Sequence, residues 1–386
     1  MIKKTKLWDF SSKLISFDTV SFKSNSKAAT FIANELKDLG FKTFIESFDD
    51  CGCTKEQVIA WIGPEVEDGL ILSGHIDTVP FENQAGWTKD ALKLTLEDDK
   101  IFGRGTCDMK IFIAHCLDAF NEIDLSKLKK PLVCIFTADE EIGCLGAHRL
   151  STKLDKILET MPVPKRAVIG EPTGFKIINT HKGIVQFNVN VKGVAGHSSR
   201  PHMGKNAIET SRKIIQAVEE LNEDYKALIP DDIQKLYPDF PYNHLHLATI
   251  KAGEATNMIP SLCEMKFSYR VFPGEDEKKV FNDLIQRIDK DDPSEEIEFK
   301  FIHSTPAMPV ANSIELESSL KEITGKELMS VSFATDAGEL AKAGIESYIC
   351  GAGDITQAHM PNEYISVSDF NAGTGFVKSM IQKLLF

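Results

Sequence analysis

The chain has 386 residues, of which 42% are hydrophobic and 26% charged, and this globular composition excludes a disordered, collagen-like or low-complexity chain. At about 100–200 residues per domain, this length favours two or three domains. The formal net charge of −13 disfavours nucleic acids and anionic membranes as partners, because both are negatively charged.

The eight cysteines have irregular spacings that do not indicate a disulfide framework. Most lie in apolar runs, as Cys116, Cys134 and Cys350 do, so we expect reduced, mainly buried thiols and a cytoplasmic protein. The close pair Cys51 and Cys53 lacks a second pair to complete a zinc site and is expected to be an ordinary loop. We expect no signal peptide, and no apolar run is long enough to span a bilayer.

The first 180 residues alternate segments of helical spacing with short apolar runs. Helices are predicted over 25–39 and 109–123, and strands over 57–62, 70–73, 132–137 and 167–170. This alternation is typical of an α/β domain with a mainly parallel sheet that is covered on both faces.

The pattern changes near residue 183, where apolar and polar residues begin to alternate as in a half-buried strand. Strands and helices then follow in the order β-α-β-β-α-β, which is typical of a small ferredoxin-like sandwich. After Pro309 the α/β pattern returns, with a final helix over 368–385. We therefore predict a catalytic domain from 1–182 and 306–386 with an inserted domain over 183–305.

Two potential ligands follow the apolar run that begins at Leu70. His75 comes where this strand is expected to end, and ligands of α/β sheets bind beyond the carboxyl ends of the strands. Asp77 could bind the other ring nitrogen of His75 and so fix the tautomer of a metal-bound imidazole. A surface histidine with no metal role is the alternative.

Further acids and a histidine follow other strands or precede a helix. Asp108 lies in a glycine-rich segment just before a predicted helix, where an N-cap is the alternative role. Glu140 and Glu141 end a buried strand, and adjacent side chains of an extended backbone point in opposite directions. One could therefore face a metal and the other a bound water, whereas a solvated loop is the alternative. Glu171 and His359 also follow strands.

Taken together, these residues predict a metal centre. A mixed set of two histidines and three carboxylates suits zinc, cobalt or manganese. Five ligands exceed the three protein ligands of a typical catalytic zinc, and suit two metals that share a bridging carboxylate. The sequence contains no HExxH motif, no serine nucleophile elbow and no dinucleotide-binding fingerprint.

The motifs around these residues resemble the M20 metallopeptidase and deacylase family over essentially the whole chain. They are Ser73–Pro80, Gly103–Lys110, Thr137–Gly143 and Gly170–Thr173, in the order that the family has them. Within the family, the chain is most similar to the acetylornithine deacetylase branch.

This resemblance implies roles for the residues of the metal centre. His75 and Glu171 would hold one metal ion, and Glu141 and His359 the other. Asp108 would bridge the two ions. Asp77 would orient His75, and Glu140 would be the general base.

The family also has a lid domain that dimerises, which agrees with the insertion. His197 would reach the active site of the partner subunit in a homodimer. Asn257, Arg270 and Thr335 would lie near the substrate, and the planar guanidinium of Arg270 would suit a substrate carboxylate.

The implied activity is hydrolysis of N2-acetyl-L-ornithine to ornithine and acetate, a step of arginine biosynthesis. The implied cofactors are two divalent ions, for which Zn2+ is the first choice and Co2+ or Mn2+ are the alternatives. The alternative activities are those of a succinyl-diaminopimelate desuccinylase, another N-acyl amino acid deacylase or a dipeptidase of the family. A non-catalytic metal-binding protein is a further alternative. The segment Ala334–Gly338 is similar to that of the desuccinylases.

Overall fold

The computed structural model describes residues 2–50, 52–291 and 296–386. Cys51, one of the close cysteine pair, lies outside these residues. The strands are β1 (Lys42–Asp50), β2 (Cys53–Ile62), β3 (Leu70–His75), β4 (Thr95–Glu97), β5 (Lys100–Phe102), β6 (Leu132–Thr137), β7 (Arg166–Ile169), β8 (Ile177–His181), β9 (Gly183–Lys192), β10 (Gly196–His197), β11 (His246–Ala252), β12 (Met258–Ile259), β13 (Leu262–Val271), β14 (Ile297–Thr305), β15 (Leu328–Val331), β16 (Glu346–Ile349) and β17 (Tyr364–Ser366).

The α-helices are α1 (Lys6–Ile15), α2 (Ser26–Asp38), α3 (Lys110–Glu122), α4 (Leu145–Leu150), α5 (Leu154–Ile157), α6 (Ala207–Ala227), α7 (Asp231–Leu236), α8 (Lys279–Asp291), α9 (Ile314–Thr324), α10 (Ala337–Lys342) and α11 (Val367–Leu385). No helix within the described residues is long and apolar enough to cross a membrane. The described cysteines are all free thiols.

The chain divides into two compact units. The first contains residues 1–180, 310–329 and 335–386, and the second contains residues 181–309 and 330–334. The sequence-based division placed residues 330–334 in the catalytic domain, whereas in the structure they group with the second unit. They join the second unit because the main-chain N–H of Lys182 donates to the carbonyl of Val331 at 3.2 Å, and the hydroxyl of Ser330 donates to the carbonyl of Leu236.

The sheet of the first unit has the strand order β1-β2-β6-β3-β7-β16-β8-β15. Its centre is parallel, since β6, β3, β7 and β16 are paired in that sense, whereas β1, β2 and β8 pair antiparallel. The central strands β3, β6 and β7 are buried at every residue, as expected of strands that helices cover on both faces. The predicted α/β fold class is confirmed.

The second unit has a four-stranded antiparallel sheet of order β11-β13-β9-β14. With α6 after β9 and α8 after β13, this is the predicted β-α-β-β-α-β arrangement. Phe187 of β9 is fully buried and stacks on Phe267 of β13 with ring centroids 5.1 Å apart. Phe281 of α8 meets Phe187 edge to face, so the helices cover one face of the sheet. Alternate residues of β13, such as Glu264 and Lys266, are exposed.

Candidate metal centre

Asp108 lies between two histidines from distant parts of the chain. Its Oδ1 is 2.9 Å from Nε2 of His75, and its Oδ2 is 3.4 Å from Nε2 of His359. Met109 occupies the N-cap position of α3, so Asp108 is not the helix cap that was the alternative role. Its two oxygens are thus directed at two different imidazoles.

Two glutamates complete the cluster. Glu171 places Oε1 3.8 Å from Nε2 of His75, and Glu141 places Oε2 2.9 Å from Nε2 of His359. All five residues of the predicted ligand set therefore come together. They converge because β3, β6, β7 and β16 are parallel neighbours, and four of the five residues end or follow these strands.

The donor set fits divalent ions. Imidazole and carboxylate ligands in this ratio suit zinc and similar metals, and single donor atoms of His75, Asp108 and Glu141 all lie within 4.8 Å of one another. The Oε1 atom of Glu141 is buried and has no hydrogen-bond partner among the described residues. A buried carboxylate oxygen with no partner is costly, and a cation would satisfy it.

The proton affinities reflect this crowding. Burial and the nearby charge of Asp108 raise the pKa of Glu141 to about 7. Burial also raises the pKa of Glu171 well above its usual range. Burial opposes ionisation of Asp108 too, but hydrogen bonds from His359 and His75 hold its pKa well below the usual range. The same contacts with Asp108 and Glu141 raise the pKa of His359 to about 10. Without a cation, the histidines therefore retain protons that offset the carboxylates.

Asp77 connects the His75 strand to the acidic loop after β6. Its Oδ1 accepts the N–H of Glu140 at 3.1 Å, and its Oδ2 accepts the N–H of Glu141 at 3.2 Å. The Oδ2 atom also accepts the hydroxyl of Ser21 at 2.8 Å. The Nδ1 atom of His75 is 2.9 Å from the main-chain oxygen of Asp77 and 3.7 Å from its carboxylate. The main chain of Asp77 is thus the nearer partner of the imidazole, and its carboxylate positions the two glutamates.

A buried ion pair fixes the start of the same loop. Lys55 on β2 places Nζ 3.1 Å from Oδ1 of Asp139, and both side chains are almost fully buried. Asp139 has φ 57°, a left-handed conformation that costs free energy in a residue other than glycine. Lys55 offsets the charge of Asp139 at this turn, just before Glu140. Nothing in the sequence pattern marks Lys55 as part of the site.

Glu140 lies beside two residues that the motifs did not mark as functional. Single atoms of its carboxylate, the Cys144 thiol and the Asp336 carboxylate all lie within 4.8 Å of one another. Burial raises the pKa of Glu140 well above its usual range, and raises that of Asp336 to about 6. Asp336 accepts a hydrogen bond from the hydroxyl of Thr137 at 2.6 Å. Burial thus increases the affinity of the Glu140 carboxylate for a proton, as a group that accepts and returns a proton requires.

The loop that carries Asp108 is held by Glu363. The Oε1 atom of Glu363 accepts the N–H groups of Gly105, Cys107 and Asp108 at 3.0, 2.7 and 3.0 Å. Its Oε2 accepts a guanidinium N–H of Arg104 at 2.7 Å, and both side chains are buried. This geometry arises because β17, which begins after Glu363, pairs with β5, which ends just before the loop. Glu363 therefore fixes Asp108 relative to the segment that carries His359.

The residues predicted to lie near the substrate are distant in sequence from the five predicted metal ligands. His197 is exposed on β10 of the second unit, where it pairs with Met258 of β12. Asn257 is exposed just before β12, and its carbonyl accepts the N–H of Ser198 at 3.0 Å. Nδ1 of His197 lies 2.7 Å from the Ser199 hydroxyl. Thr335 is buried, and its hydroxyl accepts the N–H of Ala337 at 3.2 Å at the start of α10.

Arg270 on β13 is the predicted substrate-binding cation. It is half-buried beside His181 and Lys182, and it makes no ion pair with any carboxylate of the described residues. Burial lowers the pKa of its guanidinium from the ordinary range. A half-buried cation without a counter-ion favours binding of an anion.

The sequence pattern of peptidase family M20/M25/M40 matches residues 71–383, which is most of the chain. The chain belongs to this family. The resemblance inferred from the motifs is therefore confirmed.

Two curated relatives are both named acetylornithine deacetylase. An acetylornithine deacetylase of Myxococcus xanthus is 31% identical over 363 residues, which cover 92% of each chain. An acetylornithine deacetylase of Salmonella paratyphi B is 34% identical over 348 residues, which cover 89% of this chain and 86% of the relative.

Solved structures share the fold. An M20 family metallo-carboxypeptidase of Sulfolobus solfataricus superposes with a TM-score of 0.78 at 18% identity and covers 98% of this chain and 99% of its own. The YXEP protein of Bacillus subtilis, described as a dinuclear metal-binding peptidase of the M20 family, has a TM-score of 0.66 at 16% identity, with 98% of each chain covered.

The first prediction concerns Glu363. Its replacement by glutamine places an amide N–H group among donors, so the Asp108 loop should shift and added Zn2+ should bind about 10- to 100-fold more weakly. Isothermal titration calorimetry measures this, and circular dichroism establishes that the variant is folded. Glu322→Gln, an exposed change in the same unit, should bind Zn2+ as the wild type does. A folded Glu363→Gln protein with wild-type affinity would contradict the role of Glu363.

The second prediction concerns pH. In the metal-free protein His359, with a pKa of about 10, is protonated at pH 8 and at pH 6, whereas Glu141, with a pKa of about 7, gains its proton between these values. A metal must displace these protons, so affinity for Zn2+ should fall by about tenfold per pH unit per displaced proton from pH 8 to pH 6. Calorimetry in two buffers of different ionisation enthalpy measures the protons released. Binding that is independent of pH and releases no proton would contradict the arrangement.

Proposed function

We propose that the protein hydrolyses the amide bond of an N-acyl amino acid, with N2-acetyl-L-ornithine as the substrate and ornithine and acetate as the products. The observation that carries the reaction type is Asp108, whose two carboxylate oxygens face His75 and His359 beside a glutamate of raised pKa. The choice of substrate rests on the relatives named acetylornithine deacetylase, at 31% and 34% identity. This would be a cytoplasmic step of arginine biosynthesis.

The proposed metal ions are two Zn2+ ions. His75 and Glu171 would hold one, Glu141 and His359 would hold the other, and Asp108 would contribute one oxygen to each. When bound, two such ions lower the pKa of a water molecule and polarise the substrate carbonyl. The contacts of Asp108 with both imidazoles support a shared ligand in this position.

Glu140 is the proposed general base. It would accept the proton of the attacking water on a carboxylate oxygen and return it to the amide nitrogen as the bond breaks. The hydrogen bond from its own N–H to Asp77 fixes its main chain, and burial raises the pKa of its carboxylate. Asp336, which lies near Glu140, would help to keep this pKa high by charge repulsion.

Arg270 is the proposed partner of the substrate carboxylate. Its guanidinium lacks an ion pair with the described carboxylates, and a free amino acid carboxylate would supply a planar, bidentate partner. Asn257 would add a polar contact to the substrate. Thr335 would lie near the substrate in the first unit, although its hydroxyl is also engaged in the turn before α10.

A succinyl-diaminopimelate desuccinylase is the second candidate, because the segment Ala334–Gly338 is similar to those enzymes. Its substrate also carries an N-acyl group and a carboxylate, so the same general base and the same arginine would serve. The acyl group alone distinguishes the two reactions at the scissile bond.

An assay of the Zn2+-loaded protein tests the function. Hydrolysis of N2-acetyl-L-ornithine should exceed that of N-succinyl-diaminopimelate and of a dipeptide panel when kcat/KM is compared. Glu140→Gln should lower kcat by about two to four orders of magnitude and leave bound metal unchanged. Glu67 is exposed, and Glu67→Gln removes the same charge as Glu140→Gln, so this control variant should be fully active. If the metal-loaded protein hydrolyses none of these substrates, the proposed function is contradicted. If the Glu140→Gln variant stays active, the assignment of Glu140 as the general base is contradicted.

We also propose a homodimer in which His197 of one subunit stabilises the oxyanion in the site of the other. Glu140→Gln and His197→Ala homodimers should each be nearly inactive. A 1:1 mixture after subunit exchange should regain about a quarter of the wild-type activity, because half of the dimers are hybrids with one complete site. Sedimentation of each variant controls for assembly. An active His197→Ala homodimer, or a mixture that stays inactive after proven exchange, would contradict this role.

A further inference from the structure

The second unit contains a cavity that includes none of the residues discussed above as metal ligands or substrate contacts. It lies between α6, α8 and the segment over 228–243, with a volume of about 830 Å3. This volume is within the usual range of about 300–1,000 Å3 for small-molecule sites in proteins. The cavity is therefore large enough for a ligand the size of a modified amino acid or a polyamine.

The wall of the cavity is apolar and aromatic on one side. Tyr225, Tyr242 and Phe272 line it together with Leu221 and Leu228. Lys279 already places its ammonium 4.8 Å from the ring of Tyr225, a cation–π contact within the lining itself. This wall would accept an alkyl or aromatic stem, and its ring faces favour positive charge.

The charged lining is acidic in balance. Four carboxylates, from Glu220, Asp224, Glu275 and Asp283, face only two cations, Lys279 and Arg287. Arg287 pairs with Glu220 and Asp224, and Lys279 pairs with Asp283 at 2.8 Å. Glu275 pairs with no cation of the described residues. The cavity thus carries a formal excess of two negative charges.

A buried amide oxygen beside a half-buried carboxylate marks the place where a ligand would bind. Asn243 is 7% exposed, and its Nδ2 donates to Oε1 of Glu275 at 2.7 Å. This contact engages only the nitrogen of the Asn243 amide, and within the described chain its Oδ1 has no hydrogen-bond partner. The other oxygen of Glu275 has one neutral partner, the N–H of Phe272 at 3.3 Å. A buried acceptor without a donor costs free energy that a bound donor recovers.

We propose that this cavity binds a small organic cation, an ammonium or guanidinium group on an apolar stem. The cationic nitrogen donates to Oδ1 of Asn243 and to the carboxylate of Glu275. The stem lies against Tyr225, Tyr242 and Phe272. This binding site is separate from the residues proposed above for hydrolysis. The test of cation binding and the test of hydrolysis therefore have independent outcomes.

Agmatine, which carries both cationic groups on a four-carbon stem, is the probe. Calorimetry on the full-length, Zn2+-loaded protein should detect saturable binding at up to roughly 10 mM probe. Glu275→Gln, which keeps the size of the side chain, should weaken binding by at least about tenfold, because a charged acceptor is lost. Leu228→Trp should also weaken it, because Leu228 is 80% exposed and a larger side chain there narrows the cavity without disturbing the core.

Glu219→Gln is the matched control. Glu219 is exposed on α6, does not line the cavity and carries the same charge, so this variant should bind agmatine as the wild type does. Circular dichroism establishes that each variant is folded. No saturable binding to the wild type would overturn the proposal. Equal affinity in the wild type and in both cavity variants would overturn it as well, since the probe would then occupy another site. An equal loss in Glu219→Gln and Glu275→Gln would also overturn it, because it would indicate general attraction to an acidic surface.

Discussion

The crowding of carboxylates at the ends of the central parallel strands is the constraint on which the rest of the first unit depends. Asp108, Glu140, Glu141 and Glu171 lie in one largely buried cluster, where like charges repel strongly because little water screens them. Protons on the histidines offset part of this charge, and two divalent ions would offset more. The fold therefore has to hold these side chains against their mutual repulsion.

Three sets of contacts supply that restraint, each from a different part of the chain. Asp77 accepts the main-chain N–H groups of the acidic loop, Lys55 neutralises the aspartate at its start, and Glu363 binds three N–H groups of the Asp108 loop. Two of the residues that make these contacts, Asp77 and Glu363, are themselves acidic, yet their carboxylates accept hydrogen bonds from main-chain N–H groups. The acidic residues thus divide into those that form the cluster and those that fix its geometry.

The sequence predicted the α/β class and the β-α-β-β-α-β order, since these depend on local periodicity. The motifs also named five residues that the structure brings together, and their role as metal ligands stays a prediction. The strand over 132–137 was predicted with the bounds that the structure has. Helix α1 was missed, although its buried residues Leu7, Ser11, Leu14 and Ile15 have helical spacing, because the polar Ser11 shortens the apolar pattern of this face. Lys55 and Asp336 could not be found either, because each acts through a contact with a residue far away in sequence.

The contacts of Asp77 could be predicted only in part from its position in the sequence. Its spacing from His75 indicated a contact with the imidazole, and the structure provides one through the main chain. The carboxylate instead turns to the loop after β6, about sixty residues further on. Only the pairing of β3 with β6 brings that loop within reach. A spacing of two residues therefore predicted the proximity but not the partner of the side chain.

The division of the first unit into three chain segments has a consequence for biosynthesis. A chain emerging from the ribosome presents His75, Asp108 and Glu141 before the insert is made, while His359 and Glu363 follow some two hundred residues later. Until then the Asp108 loop lacks its carboxylate anchor, and the second imidazole is missing. The insert can complete its own core in the meantime. The candidate metal centre therefore becomes complete among the last events of synthesis. A truncated chain would expose an acidic cluster that lacks His359 and is open to proteolysis.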